Sequence, residues 1–166
     1  MFFVLMILAV APALAICGYI IHKDRFDKEP KKLVIKAFFF GVFSLFPAVI
    51  ASEIGSNYVN NDGNFINTAL YAFLVIALSE EFAKFFFLRY LLFNKKEFNE
   101  PLDGIVYAVM IGMGFAAFEN IFYVIEGGFS AALGRMITAI PAHAIFAVVM
   151  GYHVGLAKFD LTHRNE

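Results

Sequence analysis

Five continuously apolar stretches alternate with short polar segments along this chain of 166 residues. A helix needs about 20 mostly apolar residues to cross a hydrocarbon core of about 30 Å. The apolar stretches lack the strict alternation of a membrane β-barrel, and a helix satisfies its own backbone hydrogen bonds in lipid. The pattern therefore predicts five membrane-spanning helices, at residues 2–21, 33–52, 67–93, 102–125 and 135–158.

Composition supports an all-α, polytopic transmembrane helical bundle. Hydrophobic residues make up 61% of the chain and charged residues only 16%, whereas a soluble domain has about 25% charged residues. The excess apolar surface is too large for one small core and must face the lipid bilayer. No internal repeat or long linker divides residues 1–166, so a single membrane domain is predicted. The net charge of −1 and the absence of a basic patch exclude a nucleic-acid partner.

Basic residues predict the orientation. Eleven of the thirteen lysines and arginines follow the first, third and fifth spans, whereas Lys84 lies within a span and only Arg135 falls on the opposite side. The eleven are Lys23, Arg25, Lys28, Lys31, Lys32, Lys36, Arg89, Lys95, Lys96, Lys158 and Arg164. Because basic residues accumulate in cytoplasmic loops, the amino terminus is predicted outside and the carboxyl end in the cytoplasm.

Glu80 and Glu81 lie near the middle of the third predicted span. A charged group at that depth costs about 2.5–3.5 kcal/mol on insertion scales. Lys84 follows at helical spacing and can reach either carboxylate. A buried ion pair that only holds helices together is one interpretation. The pair of acids favours a functional site, because one glutamate would suffice to match one lysine.

Small residues recur every fourth position in the fourth predicted span, at Ala108, Gly112 and Ala116, and Asn120 continues the series. Such a stripe lets another helix approach closely. Glu119 borders the stripe, so it is expected to face protein rather than lipid, either as a functional group or as a packing residue.

A similar stripe in the fifth predicted span contains His143, whose small companions are Ala139, Ala147, Gly151 and Gly155. His143 is either a packing residue or part of a site shared with the glutamates. Pro141 cannot donate a hydrogen bond to the carbonyl of Ile137, so a kink or a freed carbonyl is expected near His143.

Depths estimated from the span ends are about 20 Å for Glu80, 9 Å for Glu119 and 12 Å for His143, at 1.5 Å per residue. All three side chains are therefore expected in the outer half of the membrane, where one water-filled cavity could join them.

This set of residues suits peptide hydrolysis, which needs a base for water, an acid for the leaving amine and a positive group for the oxyanion. Glu80 is the candidate base, Glu81 or Glu119 would share protons or fix geometry, and His143 would stabilise the oxyanion. Alternatively, Glu80, Glu119 and His143 could bind zinc, although no H-E-x-x-H motif is present. Intramembrane acids also occur in ion-coupled transporters, and a non-catalytic membrane scaffold is a third possibility.

Two motifs resemble those of the PrsW family of intramembrane proteases: E-E-x-x-K at residues 80–84 and F-x-x-x-E-N at residues 115–120. Further matching stretches are K-D-R-F-D-K-E-P at residues 23–30, D-G-I-V-Y at 103–107 and H-A-I at 143–145. The wider CAAX-processing protease group is also similar, with F-x-x-x-H as its second motif, so that Glu119 stands where that group has histidine.

The resemblance implies a hydrolase of the bacterial cytoplasmic (inner) membrane. It would make the first, extracytoplasmic cut in a membrane-spanning anti-sigma factor. It also implies that Glu80, Glu81, Glu119 and His143 are catalytic, with Lys84 and Asn120 in support. Members of the family continue into further spans with an H-G-x-Y-D-F motif, which this sequence lacks. Either this chain lacks carboxyl-terminal spans or this version works differently. A shortened chain is the expectation, and such a chain could be inactive by itself although the longer protein is an enzyme.

Overall fold

A computed structural model describes residues 2–24, 27–59 and 62–160 of the protein. These residues form helices and no β-strand, which confirms the all-α fold class. Arg25 and Arg164, used above to predict orientation, lie outside the described residues. The α-helices are α1 (Phe2–Lys23), α2 (Lys31–Ser56), α3 (Phe65–Leu70), α4 (Leu78–Phe87), α5 (Pro101–Ile137) and α6 (Ala139–Phe159). Two π-helical segments, π1 (Tyr71–Ala77) and π2 (Leu88–Leu92), follow α3 and α4 without a break in the helical chain.

Three helical segments of the described chain are long and apolar enough to cross a membrane: Phe3–Lys23, Lys31–Ser56 and Pro101–Phe159. The last one contains 59 residues, because α5 and α6 follow each other almost directly. The run from α3 to π2 covers the third predicted span, but its helical type changes along its length. The number of five spans and their orientation remain predictions.

Local sequence signals explain where two helices begin. The side chain of Asn64 accepts a hydrogen bond from the backbone N–H of Ile66 at 3.0 Å and caps α3. At the start of α5, Pro101 takes the first helical position, where its missing N–H costs no hydrogen bond. Asp103 accepts a hydrogen bond from the backbone N–H of Glu100 at 2.8 Å and completes a capping box.

The predicted end of the fourth span at residue 125 and start of the fifth at residue 135 differ from the helix bounds. Residues 126–134 are helical and continue α5, and Arg135 lies in the last turn of α5 rather than at the start of the next helix. Gly128 interrupts α5 with φ 62° and ψ −145°, a conformation open essentially only to glycine. Beyond it, the chain folds back so that Ala132 packs with Val124 of α5 and Ala9 of α1. Burial of this small apolar face accounts for the extra helical turns.

The kink predicted near His143 lies elsewhere. The helical chain breaks at Thr138, where φ is −116° and ψ is −70°, and α6 begins at Ala139. Pro141 therefore occupies the first turn of α6, where a backbone N–H has no intrahelical partner and its loss is tolerated. His143 follows in regular helix.

Helix α5 lies at the centre of the bundle and packs against α1, α2 and α6. Glycines on α5 and α6 allow a close approach, since a Cβ added at Gly151 would lie 2.7 Å from the carbonyl carbon of Gly104. Two turns further along α5, a Cβ at Gly112 would lie 2.9 Å from the Cβ of Ala147. The small-residue stripes predicted for these two spans thus form their mutual contact.

The segment between α1 and α2 docks on the first turns of α5 through buried acids. Asp24 and Asp103 are buried, and one carboxylate oxygen of each has no hydrogen-bond partner. Glu29, also buried, accepts a hydrogen bond from the hydroxyl of Tyr107. Burial, followed by the nearby carboxylates, raises the pKa of Glu29 to about 8. Residues 23–30 and 103–107, both matched to the family motifs, therefore meet at this junction, with Arg25 and Phe26 outside the described residues.

Candidate active site

Helix α4 contributes two carboxylates and one ammonium group. The side chain of Lys84 is only 2% exposed, and its Nζ lies 2.6 Å from Oε1 of Glu81 and 3.8 Å from Oε2 of Glu80. These are the contacts expected at spacings of three and four residues on a helix. The ammonium also lies 4.1 Å from the ring centre of Phe115. Lys84 is thus fixed between α4 and α5.

His143 of α6 connects this cluster to Glu119 of α5. Its Nδ1 lies 3.0 Å from Nζ of Lys84, and its Nε2 lies 3.2 Å from Oε2 of Glu119. Because a lysine ammonium can only donate, this geometry assigns the acceptor role to Nδ1 and the proton to Nε2. His143 then donates a hydrogen bond to Glu119. Three separate helices meet at this one imidazole.

The second acid of the site is held from the far end of α5. Arg135 donates hydrogen bonds to Oε2 of Glu119 and to Oδ1 of Asn120. Asn120 is fully buried, and its Nδ2 donates to the backbone carbonyl of Ala9 at 3.2 Å. The predicted supporting residue Asn120 therefore connects Arg135 to α1.

Sequence reasoning missed Arg135, which it used only as a marker of orientation. A signal was available, since Arg135 is the one basic residue on its predicted side of the membrane and follows the pair Gly127-Gly128. The reversal at Gly128 could not be located from the apolar pattern. It is this reversal that returns the arginine to the site.

A cavity of about 320 Å³ opens beside Glu80 and Glu119, and a third carboxylate, Glu53 of α2, also lines it. Its wall comes from α2, π1, α4 and α5, and is apolar and aromatic around the carboxylates, with Phe115, Phe122 and Tyr123 among the lining residues. Two clefts of about 430 and 420 Å³ lie elsewhere and have no carboxylate, and one of about 400 Å³ has Glu97 beside three lysines. None of these three clefts is lined by Glu80, Glu119 or His143. The acidic cavity is therefore the candidate reaction space.

Glu80, Glu119 and His143 offer ligand atoms that all lie within 4.8 Å of one another, the only such group within the described ranges. Two carboxylates and one imidazole suit a divalent transition metal with a fourth position left open. Coordination through Nε2 of His143 would place a proton on Nδ1, opposite Lys84. Lys84 would then rely on Glu81, its partner at 2.6 Å. With that adjustment, the donor set fits a metal ion.

The sequence matches the profile of the PrsW family intramembrane metalloprotease over residues 29–166. The chain belongs to this family. It is 40% identical over 156 residues to Protease PrsW of Oceanobacillus iheyensis, an alignment covering 94% of this chain and 69% of the relative. Protease PrsW of Geobacillus kaustophilus is 37% identical over 155 residues, covering 93% of this chain and 67% of the relative.

Protease PrsW of Bacillus subtilis is 34% identical over 151 residues, covering 91% of this chain and 67% of the relative. No solved structure gives a significant match. Membership of the PrsW family identifies the chain as a membrane-embedded peptidase with a protein substrate. The competing interpretations as transporter or scaffold lose their support, whereas the roles of individual residues stay open.

Proposed function

We propose that this protein is an intramembrane endopeptidase whose reacting groups are Glu80, Glu81, Glu119 and His143. One observation carries the proposal. Glu80, Glu119 and His143, from three separate helices of an apolar bundle, present ligand atoms within 4.8 Å of one another beside a cavity. Ionisable groups inside a membrane are costly and usually functional.

Glu80 is the proposed general base. It lines the cavity, and among the described residues its carboxylate has only the 3.8 Å ion pair with Lys84 and no hydrogen bond. It can therefore accept a proton from a water molecule as the water oxygen bonds to the peptide carbonyl carbon. The carbonyl π electrons move to oxygen. The oxyanion electrons then re-form the C=O bond, the C–N bond breaks, and Glu80 gives its proton to the leaving nitrogen, which returns the carboxylate.

Four neighbouring side chains would stabilise the developing charge and fix the positions of the reacting groups. The N–H of His143, now directed at Glu119, is the proposed donor to the developing oxyanion. Lys84 lies behind the imidazole and supplies positive charge. Glu81 holds Lys84 in place through its 2.6 Å contact. Glu119 fixes the tautomer and orientation of His143.

A metal-dependent version of the same reaction is favoured by the donor set and by the family description. Glu80, Glu119 and His143 would hold the ion, with zinc as the candidate. Bound zinc supplies Lewis acidity and lowers the pKa of a coordinated water toward about 7. In that version Glu81 would remain the partner of Lys84 and the nearest carboxylate available for proton transfer.

The proposed substrate is a membrane-spanning protein such as an anti-sigma factor, cut on its extracytoplasmic side in the bacterial cytoplasmic membrane. The relatives are bacterial proteins named Protease PrsW. A cavity that combines aromatic side chains with three carboxylates suits an unwound segment of a transmembrane helix, whose side chains are apolar and whose peptide groups are polar.

The test is cleavage of a co-reconstituted single-span reporter by the protein with the carboxyl-terminal spans that the family resemblance implies. Glu80→Gln and Glu119→Gln should abolish cleavage, and the control Glu126→Gln, at an exposed position on α5, should retain it. Cleavage by a folded Glu80→Gln variant at the wild-type rate would overturn the proposed mechanism. Activity that survives exhaustive chelation, with no metal found by elemental analysis, would eliminate the zinc version only.

A further inference from the structure

Arg135 lies sixteen residues after Glu119 on what is formally one helix, α5. A straight helix would separate the two by about 24 Å. Instead, the guanidinium donates a hydrogen bond to the Glu119 carboxylate. The chain reversal at Gly128 closes this distance and brings Arg135, in the last turn of α5, back to the site.

The guanidinium is used as a fork. Nη2 donates to Glu119 and Nε donates to Asn120, and the guanidinium carbon lies 3.8 Å from the ring centre of Tyr123. Successive residues on a helix, here Glu119 and Asn120, point about 100° apart. One side chain can bind both only if it reaches them from a separate segment, as Arg135 does from beyond Gly128. The adjacent Glu-Asn pair of the second motif thus matches the planar fork of a single arginine.

The fork leaves one oxygen of Glu119 uncommitted. Arg135 and His143 both bind Oε2, and no described residue forms a hydrogen bond with Oε1. Glu119 lines the cavity, so Oε1 is the oxygen that remains for a water, a substrate atom or a metal ion. Two donors on one oxygen also prevent rotation of the carboxylate.

We propose that Arg135 is the positioning residue that fixes the Glu119 carboxylate and directs Oε1 into the cavity, with Asn120 anchoring the guanidinium to α1. The proposal rests on the function proposed above. Arg135 acts through Glu119 and does not itself touch the reacting atoms. Removing it should therefore slow the chemical step and leave substrate binding unchanged.

The first test is the cleavage kinetics of Arg135→Gln and Arg135→Lys on the single-span reporter. The kcat of Arg135→Gln should fall about 10–100-fold, the range found when residues that orient reactive ligands are lost. KM should change less than about twofold. Arg135→Lys should recover only part of the loss, because an ammonium cannot bind both partners in one plane.

Arg89 supplies the matched control. It also stacks on an aromatic ring, 4.3 Å from the centre of Phe93, but has no carboxylate within 4.0 Å in the described part of the chain. Arg89→Gln should keep the wild-type kcat. Equal kcat values for Arg135→Gln and Arg89→Gln would overturn the proposal.

A double-mutant cycle of thermal stability gives a readout independent of activity. Arg135→Gln should lower the unfolding temperature when Glu119 is present and have a much smaller effect in a Glu119→Gln background, because contacting residues are coupled. Additive effects would show that Arg135 only packs on Tyr123. Full cleavage by Glu119→Gln alone would instead defeat the function proposed for the site, whatever the cycle shows.

Discussion

Gly151 of α6 is the position at which one added methyl group would disturb the site without touching it. A Cβ at this position would lie 2.6 Å from Cα of Ile105, about 0.8 Å short of an ordinary contact of 3.4 Å. The obstructing atoms, in Gly104 and Ile105, are backbone atoms and cannot rotate away. Helices α5 and α6 must therefore separate to admit an alanine.

Two effects of opposite sign decide the size of the change. Overpacking a close contact costs about 1–3 kcal/mol, and backbone obstruction places Gly151→Ala in the upper part of that range. The higher helix propensity of alanine returns about 1 kcal/mol. The net loss is about 1–2 kcal/mol, or about 2–8 °C in the unfolding temperature of a chain of this size.

Thermal unfolding followed by far-UV circular dichroism in one detergent measures this difference. Gly18→Ala is the control, because a Cβ at Gly18 of α1 meets nothing within 4 Å. It should unfold at the wild-type temperature or slightly above. If Gly151→Ala unfolds at or above the temperature of Gly18→Ala, the close α5–α6 contact does not exist as described.

The same variant should impair cleavage. His143 precedes Gly151 by two helical turns on the same face, about 12 Å away. Separating the helices moves His143 relative to Glu119, and misplacement of a reacting group by about 1 Å can cost about 100-fold in rate.

Three further changes test other parts of the structure. Because the pKa of Glu29 is raised to about 8, its contribution to stability is complete below about pH 4.5 and is lost as pH rises through 8. Between pH 5 and 9 the unfolding temperature should therefore fall less for Glu29→Gln than for wild type. Parallel curves would contradict the buried junction with Tyr107. Gly128→Ala, at φ 62° and ψ −145°, should lower the free energy of unfolding by about 1–3 kcal/mol. It should also lower kcat, because the end of α5 is displaced. An unchanged unfolding temperature would exclude the reversal at this residue. Lys84→Met should destabilise the protein by about 3 kcal/mol in chemical unfolding, because it leaves the Glu81 carboxylate without its ammonium partner. An unchanged free energy of unfolding would show that the pair is solvated.

Much of the site could be predicted because its elements follow fixed spacings. Glu80, Glu81 and Lys84 had to share one side of a helix, and the structure brings them together. The rows of small residues containing Gly112 and Gly151 correctly indicated where α5 and α6 touch. Intramembrane polar groups are costly in lipid, so their presence alone identified the helices that had to meet.

What sequence could not supply was the path of the chain between spans. Residues 129–137 are too few for a span and too apolar for a typical loop. Their helical, folded-back conformation depends on packing against α1 and α5, as Ala132 does against Ala9 and Val124. The role of Arg135 was hidden for the same reason. The break at Thr138 rather than beside His143 likewise follows from where this segment ends, because Pro141 then falls in a first turn.

The charges of the site favour Glu80 as the reacting group proposed above. Lys84 is committed to Glu81 and His143, and Arg135 is committed to Glu119 and Asn120. Each cation therefore binds one carboxylate closely. Glu80 keeps only a 3.8 Å contact with a lysine that has two nearer partners. In an apolar bundle, a carboxylate whose negative charge has no close cation is stabilised most by a proton, a water molecule or a metal ion. The cavity beside Glu80 is where each could bind.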